Sequence, residues 1–87
     1  MGVHWLQSVD KHGIDRDEVM YAMSHADTIV AWPPARDGRT VVPTLYVGPS
    51  RFGTLEVLAE VDLGEVVIFH AMRLRASTQV QLAQLEG

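Results

Sequence analysis

Thr54-Leu55-Glu56-Val57-Leu58-Ala59-Glu60-Val61-Asp62-Leu63-Gly64-Glu65-Val66-Val67-Ile68-Phe69-His70-Ala71-Met72-Arg73-Leu74-Arg75 reads as two strands joined by a tight turn. Over residues 54–61 the side chains alternate. Leu55, Val57, Ala59 and Val61 form an apolar set, and Thr54, Glu56, Leu58 and Glu60 a mostly polar one, as a strand with one face in a core requires. The polar set is expected to face outward. Asp62-Leu63-Gly64 is the turn, and the apolar run Val66 to Phe69 is the next strand. If that turn is a three-residue loop with a left-handed Gly64, Val61 pairs with Glu65 and Glu56 falls opposite His70. A connection over Pro49 to Gly53 pairs Tyr46 with Glu56. Together these registers place Tyr46, Glu56 and His70 in one row on the outward face, whereas a two-residue turn would pair Val57 with His70 and break the row.

Working outward, Thr40 to Gly48 reads as the preceding strand, with Pro43 marking an edge position or a bulge because proline cannot donate to the ladder. Thr28 to Trp32 is a further strand, separated from it by the Pro33-Pro34 break and an Asp37-Gly38 turn. Asp15-Arg16-Asp17-Glu18 has the spacing of a capping box, and Val19, Ala22, Met23 and Ala26 then recur at helical spacing. Trp5, Leu6 and Val9 suggest a short helix before it, ended by Lys11-His12-Gly13 with glycine in the left-handed cap and the bases at the carbonyl end. Ala76 to Leu85 is a polar helix with Thr78, Leu82 and Leu85 on one side. The expected architecture is α+β: two N-terminal helices, a four-stranded antiparallel meander, and a C-terminal helix, with the helices on one face and the other open to a ligand.

The 87 residues make one domain with a single modest core and room for one site. Cysteine is absent, which removes disulfides and thiolate metal sites and makes a reducing cytoplasm the default. The N-terminus lacks a basic region followed by an apolar one, and no apolar run approaches the roughly 20 residues that span a bilayer; no membrane partner is expected. The net charge of −4 argues against a protein that coats nucleic acid by charge alone. Arginine supplies most of the positive charge: Arg36, Arg39 and Arg51 fall in loops, while Arg73 and Arg75 follow the last strand. They either gather or remain scattered solvated charges.

The strand exit carries the chemistry. Histidine exchanges protons near neutral pH and an arginine fork grips phosphate, so His70, Arg73 and Arg75 suit phosphodiester chemistry. Cleaving RNA without metal requires a base for the 2′-hydroxyl proton, an acid for the leaving oxygen, and cations for the crowded transition state. Glu56 and His70 are the candidate base and acid, with Arg73 completing the catalytic set; Tyr46, Arg51 and Arg75 are the candidate substrate-binding residues. The same cross-strand row also reads as a solvated sheet face whose pairs contribute roughly 0.2–1 kcal/mol each and do nothing else. His4, His12 and His25 have no ligand-like spacing. His12 with Asp10 and Asp15 is explained more simply by helix capping than by a metal, so neither metal nor cofactor is expected. Gly48-Pro49-Ser50-Arg51-Phe52-Gly53 lacks the lysine and following helix of a P-loop.

Taken in order, Lys11-His12-Gly13-Ile14 leading into Asp15-Arg16-Asp17-Glu18-Val19, then Leu45-Tyr46-Val47-Gly48-Pro49, Leu55-Glu56-Val57 and Val67-Ile68-Phe69-His70-Ala71-Met72-Arg73, resemble the BrnT-like toxins of the RelE/ParE superfamily. The likeness covers residues 8 to 76. It implies a RelE-like fold and a metal-independent endoribonuclease that cuts messenger RNA to arrest growth and is neutralised by a cognate antitoxin protein. It also implies RNA as a partner, ribosome-bound messenger included, with a homodimer as a further expectation, and a site at Glu56, His70, Arg73 and Arg75. BrnT-like toxins look basic and open with a short aromatic strand. This chain is acidic and reads as opening in a helix, hence as an N-terminally shortened member. The alternative is a non-catalytic relative that binds a partner through a sheet edge or an acidic helical face.

Overall fold

A computed structural model describes residues 2–33 and 42–86. Among them the chain runs β1 (Gly2–Trp5), a 3-10 helix (Gln7–His12), α1 (Arg16–Ser24), β2 (Thr28–Ala31), β3 (Thr44–Gly48), β4 (Leu55–Asp62), β5 (Glu65–Arg73) and α2 (Ala76–Glu86). The strands form one sheet in the order β1-β5-β4-β3-β2. β2 through β5 are the expected antiparallel meander. The fifth strand is not in that expectation: β1 runs parallel to β5, with Gly2 opposite Glu65 and Trp5 opposite Ile68.

The first of the two expected helices is therefore corrected. Trp5 belongs to a strand, and only Gln7–His12 is helical, as a 3-10 turn. Its glycine end is as read from the sequence, with Gly13 left-handed at φ 72° and its amide bonded to the Asp10 carbonyl. β1 forms because β5 is long and offers a ladder edge. Four residues whose partner lies some 60 positions away carry no local signal of that pairing.

α1 buries Val19 and Ala22 against the sheet and half-buries Met23, the face set by their helical spacing; Ala26, expected on that face, lies past the end of the helix and is half-buried there. The capping box is not made: Asp15 makes no side-chain cap bond and instead pairs with Arg51, and Glu18 accepts the Arg51 amide at 2.8 Å. Val9, Ile14, Leu55, Val57, Ala59, Ile68 and Ala71 complete the core on this side. α1 lies close to β3 at Gly48, where a Cβ would fall on the carbonyl oxygen of Ala22. Pro43 precedes β3, its carbonyl accepting the Trp32 amide at 2.8 Å. The Asp37-Gly38 turn, Arg36 and Arg39 lie outside the described residues.

The β4–β5 register differs from the expected one twice. The turn is two residues long, Leu63 (φ 50°) and Gly64 (φ 81°), so that Asp62 pairs with Glu65. The ladder then shifts: Ala59 pairs with Ile68 but Leu58 pairs with His70, leaving Phe69 as the extra residue of a bulge. Continued without the bulge, the short turn would put His70 on the face opposite Glu56. The bulge restores the parity, and Glu56 pairs with Met72, one step diagonal to His70. The element beside β5 accounts for the bulge. Past β1 the Leu6 amide bonds the Ile68 carbonyl at 3.0 Å, and Ser8 donates to the Phe69 carbonyl at 2.6 Å, so a side chain replaces the next rung of the ladder.

The β3–β4 connection is also one residue longer than expected. Gly48 pairs with Leu55 and Tyr46 with Val57, which sends Tyr46 to the α1 side, away from Glu56. The outward face is not open as expected either, since Glu56 is 1% exposed and Val61, expected inside, is exposed. No helix of the described residues is long and apolar enough to cross a membrane.

Candidate functional site at the exit of β5

Glu56 organises the end of the sheet. Its Oε2 accepts His70 Nε2 at 2.8 Å, Arg75 Nη2 at 2.8 Å and Arg75 Nε at 3.1 Å. Its Oε1 accepts the Arg75 amide at 2.9 Å and the Thr78 hydroxyl at 2.6 Å. Burial pushes the carboxyl's pKa up, but the bonds from His70, Arg75 and Thr78 outweigh it and hold the group down at about 2. Glu56 is therefore ionised and saturated at neutral pH. A carboxylate in that state is a poor proton acceptor for a substrate and a strong anchor for its donors.

The anchoring decides which nitrogen of His70 can work. An ionised carboxylate only accepts, so Nε2 carries the hydrogen and Nδ1 is the basic nitrogen of the neutral ring. The His70 side chain keeps 21% of its surface exposed. Its ring meets that of His12 edge to face, with centroids 6.0 Å apart and planes at 73°. His12 in turn lines a cleft of about 400 Å³ with Gly13, Ile14, Phe52, Met72 and Arg73. Met72 stands on the same face of β5 as His70. Arg73 donates from Nε to the Phe52 carbonyl at 3.1 Å, which fixes the guanidinium on the cleft wall.

The candidate residues thus separate into groups. Glu56, His70 and Arg75 are brought into one hydrogen-bonded cluster, with Arg73 on the neighbouring cleft. Arg75 spends two of its guanidinium nitrogens on Glu56. Arg51 is held elsewhere, paired with Asp15 and Glu18 and lying 5.1 Å over the Phe52 ring. Tyr46 is on the other side of the sheet.

The chain matches no protein-family model, no curated protein and no solved structure.

Two members of the site escaped the sequence reading in their roles. The spacing sets Thr78 on one side of α2 with Leu82 and Leu85, but its bond to Glu56 depends on how α2 folds back from Arg75. His12 has a helix-capping position in the sequence, and the ring it meets, His70, lies far along the chain. Among the described residues no group of three or more His, Asp and Glu side chains is arranged to hold a metal ion.

Proposed function

We propose that the chain is a toxin-like endoribonuclease in which His70, oriented by Glu56, is the general base. The observation that carries this is the 2.8 Å bond from His70 Nε2 to a buried, ionised Glu56, beside a cleft bearing Arg73. A carboxylate behind a histidine sets its tautomer and holds the ring in place. His70 Nδ1 takes the 2′-hydroxyl proton, and Arg73 meets the negative charge that grows on the phosphate oxygens. Glu56 and Arg75 position His70 rather than touch substrate. The likeness to BrnT-like toxins supports the same reading, and the short strand carrying Trp5 removes one of the departures from it. By that likeness a cognate antitoxin neutralises the chain.

The test is cleavage of RNA by the purified chain in chelator, with product ends identified as 2′,3′-cyclic phosphate and 5′-hydroxyl, alongside growth on expression in bacteria. His70→Ala and Arg73→Ala should each lower cleavage on the order of 100-fold or more. Wild-type chain that neither cleaves RNA nor slows growth would sink the reading.

A second reading, a partner-binding relative without catalysis, is favoured by one observation. Arg16, Arg51 and Arg75 are each paired with carboxylates of the same chain, which leaves less charge for RNA phosphates. Under it the chain binds the product of the adjacent gene while His70→Ala changes nothing in growth or RNA integrity. A failure to co-purify with that product counts against it.

A further inference from the structure

We propose that His12 is the second proton-transfer group of this cleft, protonating the leaving 5′-oxygen while His70 takes the proton from the 2′-hydroxyl. The inference rests on the ribonuclease reading and supplies the acid that reading lacks. Glu56 cannot be that acid, because both its oxygens are occupied and it stays ionised near neutrality. Arg73 and Arg75 do not release protons in this range.

His12 has the position and the freedom the role needs. It is the last residue of the 3-10 helix, exposed, and on the wall of the cleft that Arg73 also lines. Among the described residues no hydrogen bond holds its side chain, whereas His70 is tied to Glu56. The two rings, at 6.0 Å and 73°, are too close for a phosphate to pass between them. A phosphodiester would lie across their outer edges, so that one linkage meets both rings and the Arg73 guanidinium. The hydrogen bonding assigns the roles: Glu56 holds Nε2 of His70 and leaves Nδ1 as the acceptor, whereas the untethered His12 ring is free to turn an N–H towards the leaving oxygen.

The step balances. The 2′-oxygen attacks phosphorus as its proton passes to His70 Nδ1, the bond from phosphorus to the 5′-oxygen breaks, and that oxygen takes a proton from the His12 imidazolium. The products are a 2′,3′-cyclic phosphate and a 5′-hydroxyl, with His70 charged and His12 neutral until solvent exchange resets them.

The deciding experiment compares two substrates of one sequence, ordinary RNA and RNA with sulfur in place of the bridging 5′-oxygen, whose thiolate leaves without being protonated. His12→Ala and His12→Gln should lose on the order of 100-fold on ordinary RNA but only a few-fold on the sulfur substrate. His70→Ala should lose activity on both. Circular dichroism shows that the His12 variants are folded, which the exposure of the side chain leads us to expect. Equal losses on the two substrates, or no loss on ordinary RNA, would overturn the role of His12 and leave His70 as base. Wild-type chain that cleaves neither substrate overturns the ribonuclease reading and this inference with it.

Discussion

Glu56 is a charge taken out of water and then given five hydrogen bonds. Such a group is retained at a cost, and removing its charge strands the donors around it. Glu56→Ala should destabilise the fold by on the order of 2–4 kcal/mol, read as a fall in Tm of roughly 4–8 °C per kcal/mol. The pH dependence follows from the direction of its shift. The folded carboxyl sits at about 2 against an ordinary 4.5, so the unfolded chain binds the proton first as the pH falls. The stabilisation is therefore complete above about pH 5 and is lost progressively down towards pH 2, an effect on the order of 3 kcal/mol. Urea titrations between pH 7 and pH 2.5 should show a loss in the wild type that is blunted in Glu56→Gln; parallel curves would refute the assignment. The sequence could nominate Glu56 from its alternation, but that alternation put it in solvent. What buries it is Arg75 and Thr78 returning over the sheet end, a packing event absent from any period-2 pattern.

At the scale of elements, two backbone features decide the geometry. The β4–β5 turn places a leucine, 96% exposed, at φ 50°, where a branched-chain residue carries a cost and asparagine is far better suited. Leu63→Asn should raise stability by about 1 kcal/mol, seen as a higher Tm with no change in RNA cleavage. Packing of α1 on β3 depends on the missing side chain at Gly48. Gly48→Ala should cost about 1–3 kcal/mol, because the obstacle is backbone rather than a movable side chain; a neutral result would show that α1 can shift. The bulge at Phe69 is the third feature of this scale, and the one the site depends on. An Asp-Leu-Gly sequence permits either a two- or a three-residue turn, and the wrong choice was offset by a bulge of the same parity, so Glu56 and His70 share a face by a different route. Tyr46 had no such compensation. One extra residue in the Pro49 to Thr54 connection moved it across the sheet.

For the whole molecule, charge is the governing quantity. The chain is acidic at −4, and Arg16, Arg51 and Arg75 are paired internally. RNA affinity should therefore depend weakly on salt, with a log–log slope no steeper than about −2, as expected when no more than two or three phosphates are neutralised. Fluorescence anisotropy with a labelled single strand between 50 and 300 mM salt checks this, and a slope near −5 would mean that a cationic surface forms on binding.

The sequence by itself determined the α+β class, the four-stranded meander, the apolar face of α1, the glycine end of the 3-10 helix and the delivery of His70, Arg73 and Arg75 to one strand exit. These are local matters: side-chain period, turn residues and caps act over a few neighbouring positions. Tertiary structure alone decided that Gly2–Trp5 joins β5 as a parallel fifth strand, that Ser8 holds a bulge bringing His70 onto the Glu56 face, that Arg75 and Thr78 bury that carboxylate, and that His12 stands against His70. Each depends on contacts between residues far apart in the chain, whose closure is set by competition for ladder edges and buried donors rather than by any preference of the residues themselves.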